Sequence, residues 1–485
     1  MSERISTLSP RRKAIILMSC CLSLVIVSMD ATIVNVAIPS IRTELHTSAA
    51  QMQWVIDIYT LVLASLLILS GATGDRLGRR RVFQIGLVVF AAGSLLCSLA
   101  PDVHMLIAAR FLQGIGGSML NPVALSIVSQ VFVGRAERAR AFGIWGAAMG
   151  VAMAVGPMVG GALIELGDWR AVFWINLPIC VVAILLTALF VPESRSATMR
   201  DLDPVGQALA VTFLFAVVFV LIEGPEMGWT AIRSVVIGVI AVLALAAFLR
   251  YEARRDDPFI DLRFFRSIPF ASATVIAVCV YAAYGAFLFM MSLYLQGQRH
   301  YSALHTGLMY LPVSVAMLIF SPLSGRLVGR FGSRPSLFIA GISLTVATLM
   351  LAGLTVTAPS WAVVGIFALF GAGFAMANSP ITTAAVSGMP TDRAGAASAV
   401  ASTSRQVGVS IGVALCGSLA GFAMTANSAD YTADARPLWL VCTALGVVTT
   451  ALAVVSTSRR AVRSAERVGP LMVASATPVT NVASQ

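Results

Sequence analysis

Charge is what this chain has least of. Asp, Glu, Lys and Arg together make 11% of its 485 residues, against roughly a quarter in a soluble globular domain. Such a chain cannot cover a water-facing surface, so lipid must be its solvent. The seven cysteines (Cys20, Cys21, Cys97, Cys180, Cys279, Cys416 and Cys442) form no Cys-x-x-Cys and have no histidine at ligand spacing. That argues against an encoded metal site and leaves them as small apolar packing residues. There are four histidines, His46, His104, His300 and His305. All are expected near the outer surface, with His300 and His305 an option for pH sensing. No P-loop pattern is present, so ATP is not the expected energy source. No nucleophile–base pair appears, so an enzyme is the least expected class and no cofactor is called for. The net charge is +11, but no basic stripe interleaves with aromatics, which argues against nucleic acid as a partner.

Hydrophobic length is what the chain has in abundance. Apolar residues make 58% of it and the mean hydropathy is +0.88. Fourteen stretches reach the length of about 20 residues that crosses a bilayer. They fall at 14–38, 51–71, 82–100, 103–127, 139–163, 169–192, 205–223, 232–250, 269–295, 304–324, 335–357, 360–383, 394–421 and 437–457. Arg11-Arg12-Lys13 ahead of the first run resembles a signal-peptide start, but the run is too long and is read as an uncleaved span. With the N-terminus placed inside, 26 of the 33 Lys and Arg fall on inner segments and five on outer loops. The positive-inside rule then puts both termini in the cytoplasm of an inner-membrane protein.

The chain repeats itself. Ser70-Gly71 and Arg76-Leu77-Gly78-Arg79-Arg80 align with Ser324-Gly325 and Arg330-Phe331-Gly332-Ser333-Arg334 at an offset of 254. Leu112-Gln113-Gly114-Ile115-Gly116 and Asn121 align with Leu369-Phe370-Gly371-Ala372-Gly373 and Asn378 at an offset of 257. Duplicated six-span halves are characteristic of secondary transporters, whose substrate site lies between the repeats near the midplane. The expected layout is a six-helix half at 1–192, a linker carrying two extra spans at 193–267, a second six-helix half at 268–457, and a disordered cytoplasmic tail at 458–485.

Two acids and two bases fall inside spans: Asp30, Asp57, Arg110 and Arg405. An ionisable residue at membrane depth is a functional hypothesis by default. At 1.5 Å per residue, Asp30, Asp57 and Arg110 share a depth of about 12 Å from the outer side and are expected to form one constellation. Burial raises a carboxylate pKa and a nearby Arg lowers it, so a changing Asp–Arg distance moves a proton. Asp30 is the expected proton site and Arg110 its tuner, the alternative being a structural ion pair. Asp57 is assigned to cation recognition or a second proton. Arg405 has no acidic partner in the membrane, and either binds an anionic group or caps carbonyls between the halves.

Three further features carry expectations. Gly71, Asp75, Arg76, Gly78, Arg79 and Arg80 suit a tight inner loop whose arginines pair with neighbouring carboxylates, a latch that opens as the halves rock. Gly156, Pro157, Gly160 and Gly161 give the fifth span a close-packing face and a kink. Tyr281, Tyr284, Phe287, Met291 and Tyr294 lie at near-helical spacing in span nine, suited either to lipophilic cations or to ordinary packing.

Gly71-x-x-x-Asp75-Arg76-x-Gly78-Arg79-Arg80 resembles the loop signature of the major facilitator superfamily. Met29-Asp30-Ala31-Thr32-Ile33-Val34-Asn35-Val36-Ala37-Ile38-Pro39, Arg110-Phe111-Leu112-Gln113-Gly114-Ile115-Gly116-Gly117, Gly150 with Gly156-Pro157-x-x-Gly160-Gly161, and Asp168-Trp169-Arg170 with Trp174-Ile175-Asn176-Leu177-Pro178 are similar to segments of its fourteen-span drug:proton antiporters of the QacA/EmrB type. The resemblance covers 14–457. It implies an all-α membrane protein with the major facilitator fold, two six-helix bundles with two extra transmembrane helices between them. It also implies export of a lipophilic small molecule, cationic in the first instance, against protons as the coupling ion. In that family the residues matching Asp30 and Arg110 serve proton coupling. A dedicated exporter of one endogenous metabolite, antibiotic, siderophore or lipid is the alternative, and a non-transporting sensor or scaffold a second. Membrane lipid is the one expected macroscopic partner; oligomeric state is left open.

Overall fold

A computed structural model of the chain describes residues 9–195, 203–255, 260–387, 389, 394–421 and 431–474. Its elements are α1 (Pro10–Leu45), α2 (Ala49–Leu77), α3 (Arg79–Ser98), α4 (Val103–Val131), α5 (Arg135–Leu166), α6 (Ala171–Phe190), α7 (Pro204–Met227), α8 (Ile232–Glu252), α9 (Ile268–Gln298), α10 (Ala303–Phe331), α11 (Ser333–Ala352), α12 (Ser360–Val386), α13 (Ala394–Ala420), α14 (Tyr431–Val455) and α15 (Arg459–Ala474). No strand occurs among the described residues. Thirteen of these helices are long and apolar enough to cross a membrane. α13, 27 residues long, is not among them; it carries Thr403, Ser404, Arg405 and Gln406.

The helix ends are encoded locally. Ser48 and Gln51 close a capping box at α2, Asp102 accepts from the amides of His104 and Met105 at α4, and Asp203 accepts from Gly206 at α7. Each satisfies amides that the first turn leaves open. α2 and α3 are parted by Gly78 at φ +113°, and α10 and α11 by Gly332 at φ +77°. These two positions are equivalent in the repeat, and both adopt the left-handed backbone that favours glycine.

Helices α1–α6 pack on one another as one bundle and α9–α14 as a second. The internal repeat is visible in the packing. Gly116 lets α4 approach the backbone of α3 at Phe90, and Gly373 lets α12 approach α11 at Leu344. The extra helix α7 lies along α2 and α13, touching both bundles, and α8 packs on α7. α8 buries only Ser234, Ala241, Ala244, Phe248 and Glu252 and leaves Val235, Val239, Val242 and Leu243 exposed, as expected of a lipid-facing helix.

The hydrogen bonds between the bundles gather toward the end of the molecule that carries Glu44 and Arg170. The Gln53 amide donates to the carbonyls of Val413 and Ala414, Gln296 to Val36 O at 2.9 Å, Ser314 to Ala154 O at 2.7 Å, and Ser302 to Glu165 Oε2 at 3.0 Å. Toward the opposite end, which carries the Asp75 loop, Gly143, Gly146 and Gly150 of α5 and Gly329 of α10 face open space.

One expectation is corrected. The segment expected to be a disordered tail is helical over Arg459–Ala474. Ala461, Ala465 and Val468 recur at i, i+4 and i+7 and are buried, while the arginines between them stay exposed. That is an amphipathic period, short enough to be hidden by the basic and small-residue composition around it. The rest of the expected tail, 475–485, lies outside the described residues, as do 196–202 and 256–259 of the linker.

Candidate functional site

Asp30 and Arg110 meet inside the first bundle. Asp30 is fully buried and Arg110 is 1% exposed, and their side chains form an ion pair. Arg110 Nη1 also donates to Gln113 Oε1 at 2.7 Å, and its Nε donates to Val55 O of α2 at 3.0 Å. The guanidinium lies 4.2 Å from the centroid of the Tyr59 ring and 5.8 Å from that of Phe173. Asp30 Oδ1 accepts from Gln113 Nε2 at 2.9 Å and from Asn176 Nδ2 at 3.1 Å; both amides also reach Ser94 Oγ, at 2.8 and 3.3 Å. Five helices, α1, α2, α3, α4 and α6, therefore contribute to one cluster, in which α4 and α6 reach the carboxylate itself. A buried charge persists only when paired and hydrogen-bonded, and here both oxygens of Asp30 are engaged.

The neighbouring helices hold this cluster in place. On α5, a Cβ at Gly156 would collide with Thr32 and one at Gly160 with Ile33, so both glycines seat α5 on α1 within a turn of Asp30. Gly161 seats the same helix on Ala303 of α10 in the other bundle. Pro157 lies between them inside α5, and its carbonyl is approached by Gly307 of α10. α5 thus touches the carboxylate-bearing helix on one face and the second bundle on another. Gly150, expected on the same packing face, meets nothing.

At the Glu44 end, Trp169 Nε1 donates to Glu44 Oε2 at 2.7 Å, and Arg170 pairs with Glu44 at 2.6 Å and Asp168 at 2.9 Å. Partial burial works to lower the Arg170 pKa, but hydrogen bonds to Glu44 and Asp168 outweigh it and hold the guanidinium above its ordinary value. This clamp fixes the start of α6, the helix that brings Asn176 to Asp30.

Asp57 does not join the cluster. It is fully buried on the face of α2 that meets α13. One oxygen accepts from Thr60 at 3.4 Å. The carboxylate lies against Ser410 of α13, and neither Asp57 Oδ2 nor the Ser410 hydroxyl closes a hydrogen bond of ordinary geometry. The expectation of one constellation at shared depth is corrected: equal depth says nothing about which way a helix face points, and 27 residues separate Asp30 from Asp57 on different helices.

In the second bundle Tyr284 and Phe374 stack, 4.2 Å apart and 16° from parallel, and Tyr281 meets both rings edge-on. Tyr281 donates to Asn378 Oδ1 at 2.6 Å. Arg405 donates to Thr382 Oγ1 at 2.5 Å and lies 6.0 Å from the Tyr281 ring. Met291, Phe287 and Tyr294 are fully buried in the core, so in this conformation the span-nine stripe is packing over most of its length.

The tight inner loop expected here is corrected to two helix ends that meet at Gly78: Gly71, Asp75 and Arg76 lie in α2, Arg79 and Arg80 in α3, and the segment pairs within the first bundle. Asp75 Oδ1 accepts from Arg79 Nη2 at 2.7 Å, the Arg80 amide donates to Glu193 Oε1 at 3.2 Å, and Arg81 lies 3.8 Å from Glu193. Arg80 Nη2 donates to Ala188 O at 2.6 Å. Gly71 packs on Pro122, and Arg76 sits in the last turn of α2. Sequence reasoning missed Ser94 as a partner of the cluster and Gln53 as the tie across the α2–α13 seam. An uncharged amide inside an apolar run was the available signal for Gln53.

Two six-helix bundles related by an internal repeat, with a carboxylate–guanidinium pair sealed in one of them, place the chain in the class of repeat-built membrane-transporter folds. The chain belongs to the Major Facilitator Superfamily, whose sequence profile matches residues 20–413. It is a multi-pass transporter-family protein and not an enzyme. It is 36% identical over 409 residues to the multidrug resistance protein Stp of Mycobacterium tuberculosis, covering 84% of this chain and 76% of that one. It is 36% identical to a puromycin resistance protein of Streptomyces alboniger, covering 84% and 81%, and 34% identical to the tetracenomycin C resistance and export protein of Streptomyces glaucescens, covering 83% and 75%. The fold matches the crystal structure of a bacterial homologue of the human lysosomal transporter Spinster, with TM-score 0.67 at 16% identity over 95% of this chain and 99% of that one.

Proposed function

We propose that this protein exports lipophilic drugs or antibiotics in exchange for protons, by alternating access, as a fourteen-span antiporter of the QacA/EmrB type in the cell's inner membrane with both termini cytoplasmic. The sealed Asp30–Arg110 pair carries the reading, because a purely structural role does not call for charge at membrane depth. Asp30 takes up and releases the proton; Arg110 tunes it as the helices around it shift. α5 transmits the shift, since Gly156 and Gly160 rest on α1 while Gly161 rests on α10. Asp75, Arg76, Gly78, Arg79 and Arg80 with Gly71 form the gate at the cytoplasmic end. Tyr281, Tyr284 and Arg405 face the substrate from the second bundle and Asp57 from the seam, with Met291 joining only when the core rearranges. The names of the relatives support a drug or antibiotic as cargo. Several of those names specify one antibiotic each, which favours a dedicated exporter as the second reading.

Dye flux into inverted vesicles or proteoliposomes under an imposed pH gradient tests this, wild type beside Asp30→Asn. Gradient-driven flux lost in the variant supports proton exchange through Asp30. Flux that survives moves the coupling elsewhere. A wild type that moves no dye but moves a single antibiotic establishes the dedicated reading.

A further inference from the structure

We propose that the groove between α15 and the start of α9 binds the phosphodiester headgroup of an anionic lipid. The groove, about 480 Å³, is lined by Arg266 from the short turn before α9 and by Arg460, Arg463, Ser464 and Arg467 from α15. All four arginines are exposed, and none is in an ion pair among the described residues. The contrast with Arg263 is local: Asp261 holds Arg263 at 2.9 Å, while Arg266, one turn on, is left facing α15. Four arginines line this groove and no carboxylate among the described residues lines it with them, which suits an anion, and arginine forks match phosphate oxygens in pairs.

The groove is held open from beneath. The Ser464 hydroxyl accepts from the Ile268 amide at 3.0 Å, pinning α15 to α9. Val468 packs in a cluster with Phe264, Phe270, Ala385 and Ala397, the ends of α9, α12 and α13. α15 begins directly after the membrane-crossing α14, with Ser458 capping its first turn, so the arginines stand at the bilayer surface. Exposed apolar side chains flank them, Val462 at 53% and Phe265 at 41%. A free phosphate has no use for that apolar border; a lipid has. Basic pockets at the ends of membrane helices and basic faces of amphipathic helices recognise anionic headgroups. The inference does not depend on what the protein transports.

The test is native mass spectrometry of the full chain offered equal phosphatidylglycerol and phosphatidylcholine of the same acyl chains, with inorganic phosphate as a separate arm. The expected result is roughly tenfold preferential retention of phosphatidylglycerol, falling to about equal retention of the two lipids in Arg463→Gln with Arg467→Gln. Arg326→Gln with Arg330→Gln, an equal loss of charge on α10, leaves it unchanged. Equal retention of both lipids, retention indifferent to Arg463 and Arg467, or phosphate binding as tightly as lipid each overturns it. If the double variant does not fold, the wild type decides alone. Headgroup preference that fades between about 0.1 M and 1 M salt, as screening shortens, supports the site, and salt-independent retention overturns it.

Discussion

Phe287 and Phe370 stack face to face, ring centroids 4.1 Å apart and 11° from parallel, with Phe370 standing in the second bundle where the repeat has Gln113 in the first. The repeat offset of 257 that aligns Gly114 with Gly371 also carries Arg110 to Phe367 and Gln113 to Phe370. Phe287 and Phe367 are 4.7 Å apart. The same stretch of the duplicated helix thus carries a guanidinium and an amide in one half and two phenylalanines in the other. In the second bundle Phe287, Phe367 and Phe370 fill this place with apolar bulk, while in the first Arg110 and Gln113 hold Asp30.

Asp30→Asn is therefore expected to abolish gradient-driven flux while keeping the amide contacts of Gln113 and Asn176. It leaves Arg110 buried without a counter-charge, a loss of about 3–5 kcal/mol. Adding Arg110→Gln removes that charge, so the double variant recovers thermal stability but not coupling. A melting curve beside a flux assay checks both. Recovery of flux in the double variant would reduce the pair to a structural role.

Phe370→Ala removes one face of the aromatic stack, fully buried in the second bundle. A cavity of that size is expected to destabilise by about 3–5 kcal/mol, read as a lowered melting temperature in detergent. The dependence of transport on the pH gradient stays as in wild type, because no proton-bearing group is touched. A shifted gradient dependence would mean that the two bundles share the coupling chemistry.

Much of this architecture was legible in the sequence. The hydrophobic runs set the helices, and the repeat of Gly78 in Gly332 marked the two halves. The Asp30–Arg110 pairing was legible because charge inside an apolar run has few places to go. Rotation about helix axes was not. A span tells how deep Asp57 lies, but whether it points into a bundle or across the α2–α13 seam depends on packing between residues more than 300 positions apart. The role of Gln53 was hidden for the same reason, since its acceptors are the carbonyls of Val413 and Ala414. α15 escaped because four arginines and a run of small residues masked three buried positions one turn apart.

Gly161→Val is expected to push α5 away from Ala303 and loosen the Glu44 end, where the bundles are joined. Gln53→Ala should act in the same direction by releasing two carbonyls of α13. With Thr306→Cys as reporter, fully buried near the start of α10, labelling by a membrane-impermeant maleimide rises in either variant. The background is low because six of the seven native cysteines are buried and Cys21 is half-buried. Unchanged labelling in both would show that these contacts do not hold that end closed.

Asp57→Asn separates recognition from coupling. Asp57 sits on the seam between bundles with one oxygen unpartnered beside Ser410, apart from the Asp30 cluster. Neutralising it removes no partner from Arg110, so gradient-driven transport of a neutral lipophilic substrate should persist within about twofold. A cationic substrate of similar shape loses the attraction of a desolvated carboxylate, and one such charge-assisted contact contributes about 1.5–3 kcal/mol, or roughly 10- to 100-fold in apparent affinity. Parallel flux measurements with one cationic and one neutral dye decide it. If both fall together, Asp57 belongs to the proton path or to the seam's closure. If neither falls, the cation is recognised elsewhere, and the Tyr281–Tyr284 edge becomes the place to look.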